Sequence, residues 1–298
     1  MNELAGIELG GTKTIVVRGT PGAITERMEF PTASPGATLT RAADIIAAWH
    51  ADREIAALGI ASFGPVRVDA RASDYGEILT TPKAGWSGAS VRGLLRERLG
   101  LPTAIDTDVN AAALAEYALG AAQGCATMVY VTIGTGIGGG VLIDGKPVHG
   151  ILHPEIGHLR LRRAPGDRFA GHCPFHGDCL EGLISGPALA ARFARHPAEV
   201  PSDDPAWRPV VADLAELLVS LILSYSPQRI VIGGGVAQKQ AHLRAAATAA
   251  IPRILAVYLT DVTADRLREL VVAPRLGDDA GPTGALLLAR RASEATPT

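Results

Sequence analysis

A group of side chains suited to metal binding lies near the middle of the chain. Cys173, His176 and Cys179 follow one another with two residues between neighbours, and His158 precedes them. Thiolates and imidazoles at such spacing are typical zinc ligands, and four of them close a tetrahedron around a structural ion. The stretch therefore predicts a metal site with three clustered ligands and His158 as a candidate fourth. The alternative is a polar loop with reduced thiols and no metal.

A second set of reactive side chains lies between a short apolar strand and a helix-forming run. Asp106, Asp108 and Asn110 stand together at this junction. One acidic or amide side chain before a helix is accounted for as an N-cap. Two carboxylates and an amide exceed what capping requires, so one carboxylate can act as a general base.

Two turns rich in glycine and threonine each join a pair of apolar strands. The first spans Gly10–Lys13, and the second begins with Gly134–Gly136 and continues in glycine. Backbone amides, a hydroxyl and a cation in such turns can contact phosphate oxygens. Each turn alone is also compatible with an ordinary β-hairpin, and the strict P-loop pattern is absent. The shared order of strand, turn and strand predicts two related halves, each beginning with a phosphate-facing hairpin.

The rest of the chain alternates apolar strands with helical segments, which indicates an α/β fold. A Ser-Phe-Gly-Pro turn around Gly64 follows a probable parallel strand, where open α/β sheets place ligand contacts. Gly233–Gly235 follows another buried strand and allows a phosphate or a flat ligand to approach the backbone. We also predict one helix over 182–193, one over 241–259, and a linker over 31–35.

The composition limits the classes of function. The chain has 298 residues, of which 47% are hydrophobic and 19% charged, so it can bury a large core in one or two domains. A net charge of −2 gives no general attraction to nucleic acid. Three cysteines do not form a disulfide framework, and Cys125 is interpreted as a small buried residue. Without a signal-peptide pattern or a membrane-length apolar run, we expect a cytoplasmic protein with no membrane or nucleic-acid partner.

Six motifs, in this order and spacing, resemble those of the ROK sugar kinases and are most similar to the family's fructokinase branch. They are GGTK at 10–13, DTDVN at 106–110, IGTGIGGG at 133–140, HPEIGH at 153–158, CPFHGDCLE at 173–181 and GGGV at 233–236. The resemblance implies the actin-like ATPase (RNase H-like) fold, with two α/β domains around a cleft for ATP and sugar. We expect domains at 1–115 and 116–298, with the terminal helix packing back toward the first.

The resemblance also implies a role for each matched residue. Asp108 is the base that faces the sugar hydroxyl. The sugar-binding residues are Gly64, Thr107, Asp108, Glu155, His158 and Glu181. The residues facing ATP are Gly10, Gly11, Thr12, Lys13, Gly134, Thr135 and Gly136 at the phosphates, and Gly233, Gly234, Gly235, Gly281 and Gly284 near the adenosine. The zinc ligands are His158, Cys173, His176 and Cys179, so the implied cofactors are ATP, Mg²⁺ and a structural Zn²⁺.

Three departures from the family pattern bear on the substrate. Glu8 stands where many members have Asp, which changes the reach toward a magnesium-bound water. Thr107 stands where many glucose- and mannosamine-specific members have Asn, which disfavours a glucokinase. The Cys-x-x-His-x-x-Cys pattern replaces a three-cysteine version and is similar to the fructokinase branch. We therefore expect ATP-dependent phosphorylation of fructose to fructose 6-phosphate.

Several alternatives stay open at this point. The same family includes glucokinases, mannokinases and N-acylhexosamine kinases, and the sequence does not choose among fructose, mannose and glucose. A sugar-responsive repressor would carry a helix-turn-helix before its first phosphate turn, whereas here that turn begins at Gly10. A non-catalytic sugar-binding protein is disfavoured by the presence of Asp108 and both turns. The resemblance, and no sequence pattern, implies a homodimer.

Overall fold

A computed structural model describes residues 3–256 and 258–295. The strands are β1 Glu3–Leu9, β2 Lys13–Thr20, β3 Ala23–Pro31, β4 Ile55–Ser62, β5 Thr103–Thr107, β6 Thr127–Ile133, β7 Ile137–Ile143, β8 Lys146–Pro147, β9 Arg229–Gly233 and β10 Val271–Val272. The helices are α1 Pro35–Asp52, α2 Val91–Leu99, α3 Asp108–Leu119, α4 Leu180–Ile184, α5 Gly186–Phe193, α6 Trp207–Tyr225, α7 Gly235–Lys239, α8 Ala241–Leu255, α9 Ala264–Leu270 and α10 Ala280–Glu294. Short 3₁₀ turns lie at Ile156–His158, Pro197–Glu199 and Gly277–Asp279.

The first sheet has the strand order β3-β2-β1-β4-β5, and it fixes where the reactive turns lie. β1 is antiparallel to β2 and parallel to β4, and β4 is parallel to β5. The register pairs Leu9 with Ser62 and Ser62 with Thr107. Because parallel strands end at the same edge of a sheet, the turns after these three residues share one edge.

The second sheet has the order β10-β9-β6-β7-β8. β6 is antiparallel to β7 and parallel to β9, with Thr132 opposite Gly233 and Ile133 opposite Ile137. The carboxyl ends of β6 and β9 therefore place Gly134–Gly136 near Gly233–Gly235. Read from its β8 edge, this sheet repeats the strand order of the first with every strand number raised by five. The predicted relation between the two halves is thereby confirmed at the level of topology.

The chain divides into two compact units. The first unit comprises Met1–Gly120, Lys146–Pro154 and Leu276–Thr298, and the second comprises Ala121–Gly145 and Glu155–Arg275. Within the first unit, α10 crosses β4 so closely that a Cβ at Gly59 would lie 1.9 Å from the carbonyl oxygen of Ala285. The glycine is required by this approach of helix and strand. None of the described helices combines the length and apolarity that crossing a bilayer requires.

Several predicted elements differ from the structure. The prediction of one helix over 182–193 was wrong. Ser185 has an extended backbone (φ −66°, ψ 162°), which separates α4 from α5, and its side chain caps α5, which has Pro187 in its first turn. The helix predicted over 241–259 ends at Leu255, where Ala256 adopts a left-handed conformation. The strand β3 was missed, since only Phe30 along it is buried and the usual alternation is absent.

Candidate active site

The carboxylate of Asp108 lies where β5 ends and α3 begins. Thr107 is the N-cap of α3, and its Oγ1 accepts a hydrogen bond of 3.1 Å from the Asn110 amide. Asp108 occupies the first helical position, and its Oδ1 accepts a bond of 2.8 Å from the Val109 amide. Because Thr107 performs the capping, the carboxylate of Asp108 is not needed for it and is available for chemistry.

The neighbouring carboxylate, Asp106, is committed to structure. It is buried, and its Oδ1 accepts bonds from the Thr107 amide at 2.8 Å and from Asn110 Nδ2 at 2.7 Å. His149 Nε2 lies 3.1 Å from its Oδ2, and this bond raises the pKa of the His149 imidazole. Asp106 and His149 thus hold the β5–α3 junction in place. No motif in the sequence indicates this role for His149.

Two carboxyl groups of the first unit have strongly raised pKa values. Burial raises the pKa of Asp108 to about 6. Burial, and after it the charge of Asp108, raises the pKa of Glu8 to about 7. Desolvated carboxylates that repel one another form a site that favours either protons or a cation. Glu8 therefore fits the magnesium role implied by the family resemblance.

The turn Gly10–Lys13, which is predicted to contact phosphate, is a tight hairpin braced by its neighbours. The Gly10 amide donates to the Lys13 carbonyl oxygen at 3.0 Å, and Thr32 Oγ1 donates to the Gly10 carbonyl oxygen at 2.8 Å. Gly11 is exposed, and a Cβ built on it would meet nothing within 4 Å. The exposed backbone of Gly11 and Thr12 is open to the approach of a ligand.

The turn at Gly64 is ordered by a buried histidine. A Cβ at Gly64 would lie 3.3 Å from the His153 ring, and the Val66 amide donates to His153 Nε2 at 3.2 Å. Burial lowers the pKa of His153, which favours the neutral ring that can accept this bond. From the sequence alone His153 reads as a loop residue, although its place in the HPEIGH motif was the available signal.

Gly281 and Gly284, which are predicted to lie near the adenosine, stand at the beginning of α10. A Cβ at Gly281 would lie 2.5 Å from the Glu8 carboxyl carbon, and one at Gly284 would lie 2.0 Å from the Ala111 carbonyl oxygen. Close packing against β1 and α3 accounts for both glycines. Their adenosine contact stays a prediction.

The turn that begins with Gly134–Gly136, also predicted to contact phosphate, is braced by a carboxylate of the second unit. Glu181 stands in the first turn of α4, and its Oε2 accepts a bond of 2.9 Å from the Ile137 amide. A Cβ at Gly136 would lie 2.7 Å from the same oxygen. A pocket of about 390 Å³ lies beside this turn, and its lining residues are Thr135, His172, Pro174, Glu181, Ser185 and Pro187.

The glycines after β9 are also required by close packing. Gly234 has φ 89°, and a Cβ on it would lie 2.5 Å from the Ile133 carbonyl oxygen. A Cβ at Gly233 would lie 2.2 Å from the Tyr130 hydroxyl. Gly235 has open space around it, with nothing within 4 Å of such a Cβ. Of these three glycines, Gly235 is the one whose backbone a ligand can approach.

The four predicted metal ligands come together in the second unit. Their ligand atoms, from His158, Cys173, His176 and Cys179, all lie within 4.8 Å of one another. His158 Nδ1 is 3.5 Å from Cys179 Sγ and 3.8 Å from Cys173 Sγ, and Cys173 Sγ is 3.8 Å from His176 Nδ1. A tetrahedron with ordinary Zn–S and Zn–N bonds has edges of about 3.6 Å between sulfur and nitrogen. The donor set and its spacing fit zinc.

One of the predicted metal ligands, His158, lies close to Glu155 along the chain. The 3₁₀ turn Ile156–His158 begins directly after Glu155, and the His158 amide donates to the Glu155 carbonyl oxygen at 3.0 Å. Burial raises the pKa of the Cys179 thiol to about 11, so at neutral pH this thiol would lose its proton only when its sulfur binds a divalent cation. An ion bound by His158 would therefore hold the backbone that carries Glu155.

Two sheets with one repeated strand order and a glycine turn after the first strand of each define an actin-like ATPase fold. The chain belongs to the ROK family, whose model matches residues 4–292. It is 40% identical to a putative fructokinase of Bacillus subtilis (strain 168) over 98% of this chain and 97% of that protein. It is 42% identical to a fructokinase of Zymomonas mobilis subsp. mobilis over 95% of each. The ROK hexokinase structure from Thermus thermophilus superposes with a TM-score of 0.78 at 30% identity, covering 99% of this chain and 100% of that one.

Proposed function

We propose that this protein is an ATP-dependent fructokinase that transfers the γ-phosphoryl group of ATP to the 6-hydroxyl of fructose. The observation that carries the proposal is the carboxylate of Asp108, which is not the N-cap of α3 and has a pKa raised to about 6. Such a group is mostly ionised at neutral pH and still basic enough to accept a proton. The similarity to two fructokinases over nearly the whole chain supports fructose as the acceptor.

The mechanism requires positioning and charge stabilisation more than covalent chemistry. Asp108 orients the sugar hydroxyl and accepts its proton as the new P–O bond forms. Asp106 and His149 keep the β5–α3 junction fixed, so that the carboxylate meets the hydroxyl in one geometry. Glu8 would hold Mg²⁺, which neutralises phosphate charge when bound.

We propose the remaining ligand contacts from the family resemblance. Phosphate contacts come from the turns Gly10–Lys13 and Gly134–Gly136, and the adenosine contacts from Gly233–Gly235, Gly281 and Gly284. The sugar contacts come from Gly64, Thr107, Glu155, His158 and Glu181. Glu181 already uses one oxygen for the Ile137 amide, so its Oε1 is the oxygen offered to a sugar hydroxyl.

A panel of sugars tests the proposal. ADP formation is measured by a coupled assay with Mg-ATP and fructose, mannose, glucose, N-acetylglucosamine or N-acetylmannosamine. We expect fructose to have the highest kcat/KM, at least about tenfold above glucose, as one altered contact typically gives. A preference for another hexose would reassign the enzyme within its family, and no turnover with any of them would exclude the kinase.

The pH dependence of kcat/KM gives a second test. Protonated Asp108 cannot accept a proton, so activity should fall about tenfold per pH unit below a value near 6, where this carboxyl group titrates. Glu8, with its pKa near 7, is coupled to Asp108 by charge, so the observed value belongs to the pair. A profile that stays flat down to about pH 5 would contradict the assignment of Asp108 as base.

Other properties are proposed from the family resemblance alone. We propose a homodimer, which light scattering of the purified protein measures. We propose a cytoplasmic location, with a small-molecule sugar and ATP as the partners. A sugar-responsive regulator is the second candidate function; it would bind fructose but form no ADP in the sugar panel.

A further inference from the structure

We propose that Lys83, rather than Lys13, supplies the positive charge that the Gly10–Lys13 turn offers to the transferred phosphoryl group. The inference rests on the proposed kinase activity, and it assigns a catalytic residue outside the motifs from which that activity was inferred. Both lysines belong to the first unit, so their placement relative to the turn is given directly by the structure.

The side chain of Lys13 is directed to another charge. Its Nζ lies 3.3 Å from Glu29 Oε2, a carboxylate on β3. β3 is paired with β2, the strand that Lys13 begins, so this contact lies along the sheet rather than over the turn. An ion pair partly neutralises the field of the lysine at any third group. Lys13 therefore offers a phosphate above Gly11 only a part of its charge, although that charge still lowers the pKa of Glu8.

Lys83 reaches the same turn from a different loop. Its Nζ donates a hydrogen bond of 2.5 Å to the carbonyl oxygen of Gly11, the exposed glycine of the turn. This uses one of the three ammonium N–H groups and leaves two for phosphate oxygens. Among the described residues, no carboxylate pairs with Lys83. Its charge therefore lies at the turn without a competing anion.

The loop that carries Lys83 is anchored at a buried tryptophan. Trp86 is fully buried, its Nε1 donates to the Ala33 carbonyl oxygen at 3.0 Å, and its ring meets Phe63 edge-on with centroids 5.1 Å apart. The Trp86 amide donates to the Lys83 carbonyl oxygen at 3.2 Å, which closes a tight turn between the two residues. Trp86 is thus a core residue, and its packing holds the loop that carries Lys83 in position.

The chemistry suits a lysine at this place. Negative charge spreads over the three equatorial oxygens of the phosphoryl group during transfer, and a fixed cation stabilises that charge. An ammonium group acts as a compact point charge with several donors. Backbone amides of Gly11 and Thr12 and two N–H groups of Lys83 together form a donor set for one phosphoryl group.

Matched methionine variants test the proposal. We expect Lys83→Met to lower kcat by about 10²- to 10³-fold, the effect of removing one preorganised donor, and to lower it at least about tenfold more than Lys13→Met does. Lys83→Arg should recover a part of the lost turnover, since it keeps the charge. All three variants should unfold within about 2 °C of the wild type, because the replaced groups are at the surface.

A binding measurement separates this inference from the proposed function. Calorimetry with inorganic tripolyphosphate should show affinity lowered about tenfold or more in Lys83→Met, as expected for a lost charge-assisted hydrogen bond, and lowered clearly less in Lys13→Met. If the wild type phosphorylates no sugar but this contrast holds, the kinase proposal fails and the role of Lys83 stands. If Lys13→Met loses turnover and tripolyphosphate binding while Lys83→Met keeps both, the inference is overturned.

Discussion

Asp108→Asn is expected to lose about 10³-fold or more of its turnover while becoming more stable than the wild type. The loss follows because an amide cannot accept the proton of the sugar hydroxyl, and a positioned base contributes about 10²- to 10⁴-fold. The gain follows from the raised pKa of Asp108, about 6 against an ordinary value of 3.8. In the folded protein the ionised carboxylate costs about 3 kcal/mol at neutral pH.

The sign of the stability change follows from proton binding. A carboxyl group with a raised folded-state pKa binds more protons when folded than when unfolded, so its contribution to the unfolding free energy falls as pH rises from about 4 to about 6. At pH 7 the asparagine variant avoids this cost, although it loses a favourable charge at the N-terminus of α3. A net gain of about 2 kcal/mol, or about 5 °C in Tm, is expected.

Asp106→Asn is the matched control for this measurement. Asp106 is a buried carboxylate two residues away, and it holds His149 and Asn110. Replacing it removes the anion that His149, a partly exposed imidazole, and the buried Asn110 amide both contact, so the Tm should fall. Thermal unfolding and coupled ADP formation at pH 7 measure both properties. A lower Tm in Asp108→Asn, or near-normal turnover, would contradict the role assigned to Asp108.

Loss of the metal is expected to have the second large effect. Purified protein should contain about one zinc per chain, and Cys179→Ser should contain less than about a tenth of that. The Cys179 side chain is fully buried, and its Sγ lies 3.5 Å from His158 Nδ1. An exposed side chain could therefore replace it as a ligand only if the surrounding loop changed its conformation. Since metal binding in such sites is coupled to folding of the loop, turnover and Tm should fall together.

Cys125→Ser is the control for the metal experiment. Cys125 is also buried, but it lies outside the four-ligand cluster. This variant should keep its zinc and lose little activity. Metal content is measured by mass spectrometry of the purified variants, and turnover by the same ADP assay with fructose. The structural role of the metal would be contradicted by active wild-type protein without zinc, or by a Cys179→Ser variant that holds as much zinc as the wild type.

Local patterns in the sequence were sufficient to predict much of the fold and part of the site. The strand Thr127–Ile133 can be delimited from the sequence because it is a short apolar run, and the helix Trp207–Tyr225 because its apolar residues have helical spacing. The metal ligands were predicted because cysteines and histidines at this spacing are typical of zinc sites. These are properties of short segments, and they do not depend on how distant segments pack.

What the sequence did not decide depends on contacts between distant segments. Asp106 and Asp108 look alike in the local sequence, and the bonds that His149, Asn110 and the Thr107 amide make to Asp106 identify it as the structural carboxylate. The sequence around Trp86 is equally compatible with a sugar-covering role and with a core role, and its burial decides for the core. The direction of Lys83 toward Gly11 spans a gap of many residues, for which no local pattern gives a signal.

The repeated strand order allows the two halves of the chain to be compared strand by strand. The sheets match as two copies of one ancestral unit would, with β5 equivalent to β10. β5 leads directly into Asp108, whereas β10 ends at Val272 and is followed by Ala273 and Pro274, which have no acidic side chain. The two equivalent strand ends therefore differ in chemistry, because only the one after β5 carries a carboxylate.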